Sequence, residues 1–373
     1  MITYPAEFNA RKEAVFTALA QVDGGGHRLR FPMLSFRDFP QTQARVVASL
    51  SRAKKQPKGR LGAALKRWLV RGQYNGARRY FLRHPDRVAV AWNGLGGSRA
   101  AFLQGARDAG AAALHAELAP FPGRITLDPV GVNAESGVPQ GPEFYTDWAR
   151  QDPQRSGDNW RAVGQGMTAR VSRRDDVGQS TEALPDTPFL FCPLQVPDDS
   201  QVTLFSGWCG GMEGFLSALG QAAMHLPDGW HLRLKEHPSA KQSLRGVIDP
   251  LVQSGRVVLD NATDSFAQVA ASRAVVTLNS SMGLQAFFHD KPVVTLGRAF
   301  FAQPGLVAPA RDQTALNRLF QAPQAIGYDP EYRARFMNWL DQVYYPAFHW
   351  TEGQPAEADL PGFAAKLAAA RAV

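Results

Sequence analysis

Two short polar stretches of this sequence hold side chains of the types that bind anions. The first, Lys235-Glu236-His237-Pro238-Ser239, follows the apolar run His231–Leu234, and the second, Asn279-Ser280-Ser281, follows the apolar run Ala274–Leu278. Lysine and histidine donate charge-assisted hydrogen bonds to phosphate oxygens, and serine hydroxyls add further donors. These residue types therefore predict a site for a phosphate group.

Parallel β-strands are the elements that would bring these stretches together. Each stretch ends a β-rich run, and helical patterns separate the runs, as in an open parallel α/β sheet. Ligands of such sheets bind beyond the carboxyl ends of the strands, so His237 and Ser280 converge although 43 residues separate them. Asn279 and Ser280 are also preferred N-caps for a helix over 281–289. The plainer alternative is a loop histidine and an ordinary helix cap.

The same stretches carry a resemblance to a known family. Lys-x-His-Pro, then Leu-Asn-Ser-Ser-x-Gly-Leu-x-Ala from Leu278, then Lys-Pro-Val-Val-x-Leu-Gly-x-Ala-Phe from Lys291, resembles the capsular polysaccharide synthesis family. This family comprises bacterial β-Kdo transferases that use CMP-Kdo, and other CMP-sugar transferases have a similar His-Pro and Ser/Thr pair. Gln285 stands where family members usually have Glu, and its amide could still hold a ribose hydroxyl. The donor-binding residues implied are Lys235, His237, Pro238, Asn279, Ser280, Ser281, Gln285 and Gln195.

The stretch Pro193–Gln201 extends the resemblance to a carboxylate. Family members are similar in having Gln-Val, two variable residues and then Asp, which here are Gln195, Val196 and Asp199. The resemblance implies a retaining double displacement in which Asp199 forms a glycosyl-enzyme adduct. From the residues alone, Asp199 is equally a turn residue or the N-cap of a following helix.

A second carboxylate ends a predicted strand in the first half of the chain. Glu117 closes the run from Leu114, and the neighbouring run Arg87–Trp92 ends in the glycine-rich turn 93–98. The family is similar in having a strand-end Glu and a later Asp-x-x-Gly-Val-Asn, and it implies that Glu117 activates the acceptor hydroxyl. The predicted sugar- or acceptor-binding residues are Trp92, Asn93, Gly94, Asp128 and Asn133. Asp128 and Asn133 are alternatively simple turn formers.

Composition is that of an ordinary globular protein with two domains. The chain has 373 residues, of which 45% are hydrophobic and 20% charged. No window resembles a secretory signal or a membrane span, so we expect neither export nor membrane insertion. Two cysteines are too few for a disulfide framework or a structural zinc site, which fits a reducing cytoplasm.

One segment holds the excess positive charge. Residues 52–87 contain twelve Lys or Arg and one acid, a local charge of +11, whereas the whole chain carries +8. Leu61, Leu65, Trp68 and Leu69 recur there at helical spacing, which favours a helix on an anionic membrane surface. A nucleic-acid patch would share the charge, and a solvated basic helix is the simplest alternative; no nucleic-acid partner is expected.

The fold class expected is α/β, with two Rossmann-like domains facing a cleft, as in the GT-B type of glycosyltransferase. We predict an acceptor-side domain over 1–186, with a linker at 141–186, and a CMP-sugar-binding domain over 187–325. Residues 326–373 are predicted to form helices that pack back on the first domain. The Asp175-Asp176 pair lies in the polar linker and is predicted to be solvated rather than metal-binding.

The predicted activity is transfer of Kdo from CMP-β-Kdo to a glycolipid or saccharide acceptor in capsule or related surface polysaccharide biosynthesis. Because the leaving group is a nucleoside monophosphate, the resemblance implies neither a metal nor another cofactor. The expected location is the cytoplasm, peripheral on the inner face of the inner membrane. The alternatives are another CMP-sugar transferase, such as a sialyltransferase, and a non-catalytic capsule assembly or export factor.

Overall fold

A computed structural model describes residues 1–167, 172–180, 184, 186–241 and 243–373. It separates into two compact units, the first formed by 1–138 and 340–373 and the second by 139–339. The boundary predicted from the sequence is at 186/187, after a polar stretch, whereas the chain passes between units at 138/139 and 339/340. Residues 168–171, 181–183 and 185 of the predicted linker lie outside the described residues.

The first unit is built on a five-stranded sheet in the order β2-β1-β3-β4-β5. All neighbours are parallel except β4 and β5. The order in which the chain adds strands reverses between β1 and β3, which is where such sheets bind ligands. The elements up to the first crossing are β1 (Ile2–Pro5), α1 (Ala10–Val22), β2 (Gly26–Leu29), α2 (Thr42–Ser51), α3 (Gly59–Arg83), β3 (Val88–Trp92), α4 (Gly97–Arg107), β4 (Ala113–Leu118), β5 (Ile125–Asp128) and a 3₁₀ turn, Asn133–Glu135.

The second unit contains a six-stranded parallel sheet. Its helical and strand elements are α5 (Pro142–Ala149), α6 (Arg161–Gly164), β6 (Phe189–Pro193), α7 (Ser200–Phe205), α8 (Met212–Ala223), β7 (His231–Lys235), α9 (Arg245–Val252), β8 (Val257–Leu259), α10 (Ser265–Ala271), β9 (Ala274–Thr277), α11 (Ser281–Gln285), β10 (Val293–Thr295), β11 (Ala308–Pro309), α12 (Gln313–Gln321) and α13 (Pro330–Trp339). Short 3₁₀ turns cover Pro153–Ser156, Gly207–Cys209, Ala286–His289 and Pro323–Ala325.

Strand order explains where a ligand would bind in the second unit. The order β11-β10-β9-β6-β7-β8 is the Rossmann order, in which the chain starts in the middle and builds outward in both directions. The reversal falls between β6 and β9, whose central positions make them fully buried apolar runs. The loops after these two strands therefore separate at their tips and leave a crevice.

The end of the chain returns to the first unit. A π-helical turn, Leu340–Tyr344, follows α13, and β12 (Phe348–His349), β13 (Glu357–Ala358) and α14 (Leu360–Ala372) complete the chain. Phe363, Leu367 and Ala370 of α14 join the core cluster that contains Phe16 and Leu19 of α1. Residues 326–339, expected to pack on the first domain as well, belong to the second unit.

The fold class predicted from the sequence is confirmed, since each unit has a mainly parallel sheet with Rossmann-like connectivity. Across the described ranges, no helix is both long and apolar enough to span a membrane.

Candidate functional site

A pocket opens at the carboxyl ends of β6, β7 and β9 in the second unit, at the reversal of strand order. Its lining contains six of the eight residues predicted to bind the donor. Pro193, Leu194, Pro238, Phe266 and Met282 supply apolar surface, so one pocket offers both an anion-binding wall and a surface for a flat ring. The lining residues are Gln179, Pro193, Leu194, Lys235, Glu236, His237, Pro238, Ser265, Phe266, Ser280, Ser281, Met282 and Gln285.

His237 is held in one tautomer by its own loop. Its Nδ1 accepts a hydrogen bond from the backbone N–H of Ser239 at 3.0 Å. A nitrogen that accepts this bond carries no proton, so in the neutral ring the proton lies on Nε2. Nε2 is therefore the ring nitrogen that donates, and Pro238 follows directly and limits the loop to few conformations.

Ser280 is the N-cap of α11, as its type predicted. Its Oγ accepts from the Met282 N–H at 3.2 Å, and its own N–H donates to Oγ1 of Thr277 at 3.0 Å. The helix predicted over 281–289 is shorter than expected: α11 ends at Gln285, and a 3₁₀ turn continues to His289. Ser281 and Gln285 lie one turn apart on α11 and both line the pocket.

Lys235 lines the pocket, but its ammonium group belongs to the fold. Nζ donates to the carbonyls of Gly178, Asn261 and Thr263 at 2.9, 2.9 and 2.5 Å, and the residue is 2% exposed. Burial lowers the pKa of Lys235, and nearby Asp260 and Asp264 partly oppose the shift. An ammonium group has only three donors, so the predicted contact between Lys235 Nζ and a phosphate is corrected.

Asn279 and Gln195 also differ from the prediction. Their side chains bond to each other, with Gln195 Nε2 donating to Asn279 Oδ1 at 2.9 Å. Asn279 Nδ2 donates to the carbonyls of Gln201 and Phe205 at 2.8 and 3.0 Å. Both residues are buried and lie outside the pocket lining. They join the loops after β6 and β9, so they position the crevice instead of touching a ligand in it.

Asp199 is the N-cap of α7. Its Oδ1 accepts from the Gln201 N–H at 2.8 Å, and the helix begins at Ser200. The capped helix is short, since α7 ends at Phe205. The second carboxylate oxygen takes no part in this capping bond, and Asp199 is partly exposed.

A segment that the sequence presented as a polar linker forms one wall of the pocket. Residues 172–180 run across the ends of β7 and β8: the Arg173 N–H donates to the Pro238 carbonyl at 2.9 Å, and the Gly178 N–H donates to the Asn261 carbonyl at 2.8 Å. Ser180 forms an isolated parallel bridge with Thr263. Through these bonds Gln179 becomes part of the pocket lining.

Glu236 ties this segment to the pocket floor. Its carboxylate accepts from Arg174 Nη2 at 3.0 Å, from Asn261 Nδ2 at 3.0 Å and from the Leu244 N–H at 2.5 Å. Burial alone would raise the pKa of Glu236, but these hydrogen bonds outweigh it and hold the pKa below its ordinary value. Asp176, predicted to be solvated, pairs with Arg174 while remaining exposed.

Sequence reasoning missed Glu236, Gln179, Phe266 and Met282 as pocket residues. Glu236 stands inside the Lys-x-His-Pro pattern at a variable position, and Met282 stands at a variable position after the serine pair. Ser265 and Phe266 are the first residues of α10. The preceding Asp264 is of a type that predicts a helix start, and its Oδ1 accepts from the N–H groups of Phe266 and Ala267. Gln179 had no local signal.

In the first unit, Asn93 is the predicted acceptor-side residue that contacts Glu117, near the end of β4. Asn93 Nδ2 donates to Glu117 Oε2 at 2.9 Å, and the Leu118 N–H donates to Oε1 at 3.0 Å. Asn93 and Gly94 adopt positive φ angles of 59° and 74°. Any side chain at position 94 would also collide with His115, because its Cβ would lie 2.7 Å from Nδ1 of that ring. Trp92 is 4% exposed, so it supports this turn from the core.

His115 fixes the Asn93 turn from below. Its Nδ1 lies 2.7 Å from the Asn93 carbonyl and its Nε2 lies 3.0 Å from Nη2 of Arg107. Because a carbonyl only accepts and a guanidinium only donates, Nδ1 carries the proton and Nε2 accepts. Burial lowers the pKa of His115 to about 4, and the facing Arg107 contributes in the same direction.

Asp128 and Asn133 are turn residues, the alternative left open by the sequence. The Asp128 carboxylate accepts from the N–H groups of Val130, Gly131 and Gly137 at 2.7, 3.0 and 2.7 Å, and from the Tyr344 hydroxyl at 2.6 Å. At 1% exposure it has no surface for a sugar. Asn133 has a φ of 57° and opens a 3₁₀ turn. The predicted sugar contact of Asp128 is corrected accordingly.

Within the described ranges, no group of three or more His, Cys, Asp or Glu side chains is arranged to hold a metal ion. Cys192 and Cys209 are both buried and unbridged.

The two Rossmann-like units and the crevice at the strand ends define a class, the GT-B-like fold of glycosyltransferases. The solved structure of Thermosulfurimonas dismutans KpsC, beta Kdo 2,7 transferase, has this fold. It aligns with 99% of this chain and 99% of its own, with a TM-score of 0.51 at 14% identity. This likeness concerns the fold alone.

Part of the second unit matches a known protein family by sequence. Residues 160–326 match the family of capsule polysaccharide biosynthesis proteins, which confirms the resemblance drawn from the motifs. This range contains every residue that lines the pocket.

Two curated relatives are similar to part of the chain. Protein FixF of Sinorhizobium fredii is 32% identical over 238 residues, or 64% of this chain and 55% of FixF. The capsule polysaccharide modification protein LipB of Neisseria meningitidis is 27% identical over 154 residues, or 39% of this chain and 36% of LipB. The matches thus span about half or less of the length of these relatives.

Proposed function

We propose that the protein is a glycosyltransferase that moves Kdo from CMP-β-Kdo to a glycolipid or saccharide acceptor in capsule or related surface polysaccharide biosynthesis. The observation that carries the proposal is the pocket at the reversal of strand order, which collects His237, Ser280 and Ser281 opposite an apolar wall. The family match over 160–326 supports the biosynthetic setting.

The pocket suits a nucleoside monophosphate. Nε2–H of His237 and the hydroxyl of Ser281 can donate to phosphate oxygens, since both residues line the pocket. Pro238, Phe266 and Met282 give apolar area for a pyrimidine, and base stacking on an aromatic ring contributes about 1–3 kcal/mol. Gln285 presents an amide that can bond a ribose hydroxyl in place of the family's carboxylate.

The proposed chemistry is a double displacement in which configuration is retained. The Asp199 carboxylate attacks the anomeric carbon of Kdo, and the bond to the phosphate oxygen breaks, so CMP leaves with the electron pair. Glu117 then removes the proton of the acceptor hydroxyl, whose oxygen attacks the same carbon and displaces Asp199. Atoms and charge balance without a further reactant.

We propose that this transfer needs no metal ion. Loss of a monophosphate leaves less charge to stabilise than loss of a diphosphate, and hydrogen bonds from His237 and the serines act on that charge directly. Transfer is expected to continue undiminished in EDTA. A rate that falls in EDTA and returns with Mg²⁺ or Mn²⁺ would assign the charge stabilisation to a metal.

We further propose that the basic segment 52–87 holds the protein on the inner face of the inner membrane, where lipid-linked acceptors are accessible. Its local charge of +11 supports this, because each basic residue close to an anionic surface contributes about 1 kcal/mol. Binding of this electrostatic kind is weakened by salt.

The test of the activity is donor competition. CMP-Kdo and CMP-sialic acid are offered together with a panel of glycolipid and saccharide acceptors, and the donor consumed and the product linkage are determined. Consumption of CMP-Kdo with a β-linked product is expected. Consumption of CMP-sialic acid would indicate the sialyltransferase alternative, and CMP binding with turnover of neither donor would indicate a non-catalytic role in capsule assembly.

A further inference from the structure

We infer that the protein inserts an apolar ridge of its first unit into the headgroup region of an anionic membrane. This inference rests on the membrane contact proposed above and deepens it, because that contact was argued from charge and helical spacing, not from an exposed surface. The ridge consists of exposed side chains on α3 and on the segment that lies against it: Leu34, Phe36, Leu61, Leu65, Trp68 and Leu69.

The ridge lies on the opposite side of α3 from the protein core. At about 100° per residue, Leu61, Leu65 and Trp68 fall within roughly 60° of one another around the helix axis. Val70, Tyr74, Ala77 and Phe81 fall on the other side, and all four are fully buried. The exposed leucines are therefore not an extension of the buried face of α3, but a second apolar face of the same helix.

The segment before α2 extends this second face. Phe36 stacks on Trp68 with ring centroids 4.3 Å apart. A Cβ at Gly72 would lie 2.9 Å from the Phe36 ring and 3.2 Å from Leu34, so glycine is what allows this segment to lie so close to α3. Two further exposed apolar side chains are thereby added beside the helix, and one continuous ridge results.

The exposure of the ridge is large for side chains of this type. Leu61 is 88% exposed, Leu65 58% and Trp68 46%. Leaving such residues in water forfeits the free energy of burial, and contiguous apolar surface on a protein marks a contact site. Trp and Leu on one face of a helix with Lys and Arg around it are the arrangement of helices that lie in a membrane interface.

The positive charge beside the ridge favours an anionic lipid surface over a protein as its binding partner. The side chains of Lys55, Lys58, Arg60 and Arg67 are exposed beside it, and between residues 52 and 87 the sequence has a single acid, Asp86. Anionic headgroups neutralise these cations while the acyl region takes up the leucines. A neutral apolar partner surface would cover the leucines and leave the cations uncompensated.

The test is partition of the full chain onto vesicles of phosphatidylcholine, with and without phosphatidylglycerol. The double variant Leu61→Ser/Leu65→Ser is expected to bind anionic vesicles about 10- to 100-fold more weakly than the unchanged protein, because two apolar side chains no longer enter the interface. Met224→Ser is the control, since Met224 is 58% exposed but belongs to the second unit and not to α3.

Insertion of the ridge into the membrane is measured separately with a polarity-sensitive fluorophore. Both native cysteines are buried, so Leu65→Cys introduces one accessible thiol for labelling. Its emission should shift to the blue on anionic vesicles, whereas a label at Met224→Cys, in the second unit, should not shift.

Three results would overturn the inference. The first is equal, fully salt-reversible binding of the double variant, which would leave the electrostatic proposal standing without insertion. The second is absence of vesicle binding by the unchanged protein, which would remove both membrane proposals and leave the CMP pocket untouched. The third is a self-association of the unchanged protein that the double variant abolishes, which would make the ridge a contact between copies of the chain.

Discussion

Asp199 combines a structural role with the chemical role proposed for it. One oxygen caps α7, and capping fixes the carboxylate at the end of the β6 loop. Asn caps a helix about as well as Asp does, but a neutral amide is too weak a nucleophile for the anomeric carbon. These two facts separate the roles, because a substitution can preserve the cap and remove the nucleophile.

Asp199→Asn is therefore expected to fold, bind CMP as before and lose transfer almost completely. Asp198→Asn is the matched control, since the neighbouring Asp198 is exposed and should tolerate the change. Transfer rates and CMP affinity are measured for both variants, and intact-protein mass spectrometry of the unchanged enzyme during turnover should reveal a Kdo adduct on the peptide containing Asp199. An active Asp199→Asn enzyme would contradict the double displacement and leave the pocket assignment intact.

His115 makes stability depend on pH. Its folded-state pKa of about 4 lies below the ordinary value of 6.5, so the unfolded chain binds the proton first as pH falls. The stabilising contribution is thus complete above about pH 6.5 and is lost progressively toward pH 4, by up to about 3 kcal/mol. Protonation would place N–H on Nε2 against the Arg107 guanidinium.

His115→Asn keeps a donor near the position of Nδ1 but cannot titrate. Urea unfolding at about pH 7.5 and about pH 5 should show a smaller loss of stability for this variant than for the unchanged protein. Other histidines contribute equally to both proteins, so the difference between the two pH dependences reports His115. Identical pH dependences would show that His115 does not titrate as described.

At the scale of elements, the segment 172–180 shows what local sequence could not predict. The strands that carry His237 and Ser280 were readable, because buried parallel strands are continuous apolar runs and their ends are polar. The segment has no apolar periodicity, and its order comes from bonds to groups distant in sequence, such as Lys235 Nζ and the Asn261 carbonyl. For the same reason Lys235 was assigned to a phosphate, since its three carbonyl partners depend on tertiary structure.

Lys235→Met tests this structural role. Removing the ammonium takes a donor from the Gly178 carbonyl, at a cost of about 1–3 kcal/mol, whereas the Asn261 and Thr263 carbonyls keep hydrogen bonds from the Gly178 N–H and Gln268 Nε2. Urea unfolding should show a clear destabilisation, whereas Lys241→Met, at an exposed position of the same loop, should be nearly neutral. An unchanged unfolding free energy together with weaker CMP binding would show that Lys235 contacts the phosphate and has no structural role.

For the whole molecule, the sequence supported two α/β domains but misplaced the point where they join. The boundary was set at 186/187 because the stretch before it is polar, yet residues 139–167 and 172–180 belong to the second unit. Asn338 illustrates why: its side chain accepts from the Trp160 N–H and donates to the carbonyls of Arg155 and Gly157, contacts between residues about half the chain apart. The amino-acid composition of a stretch indicates whether it is exposed to solvent, but it does not indicate hydrogen bonds to residues distant in sequence.

The central claim for the whole molecule is that the strand-end pocket of the second unit binds CMP, and calorimetric titration with CMP tests it most directly. One site is expected, and His237→Ala should weaken it about 10- to 100-fold, because one charge-assisted hydrogen bond is lost. His237→Gln should retain most of the affinity, since its amide can place an N–H near the position of Nε2. Absence of CMP binding by the unchanged protein, or an unchanged CMP affinity of His237→Ala, would contradict a CMP site in this pocket.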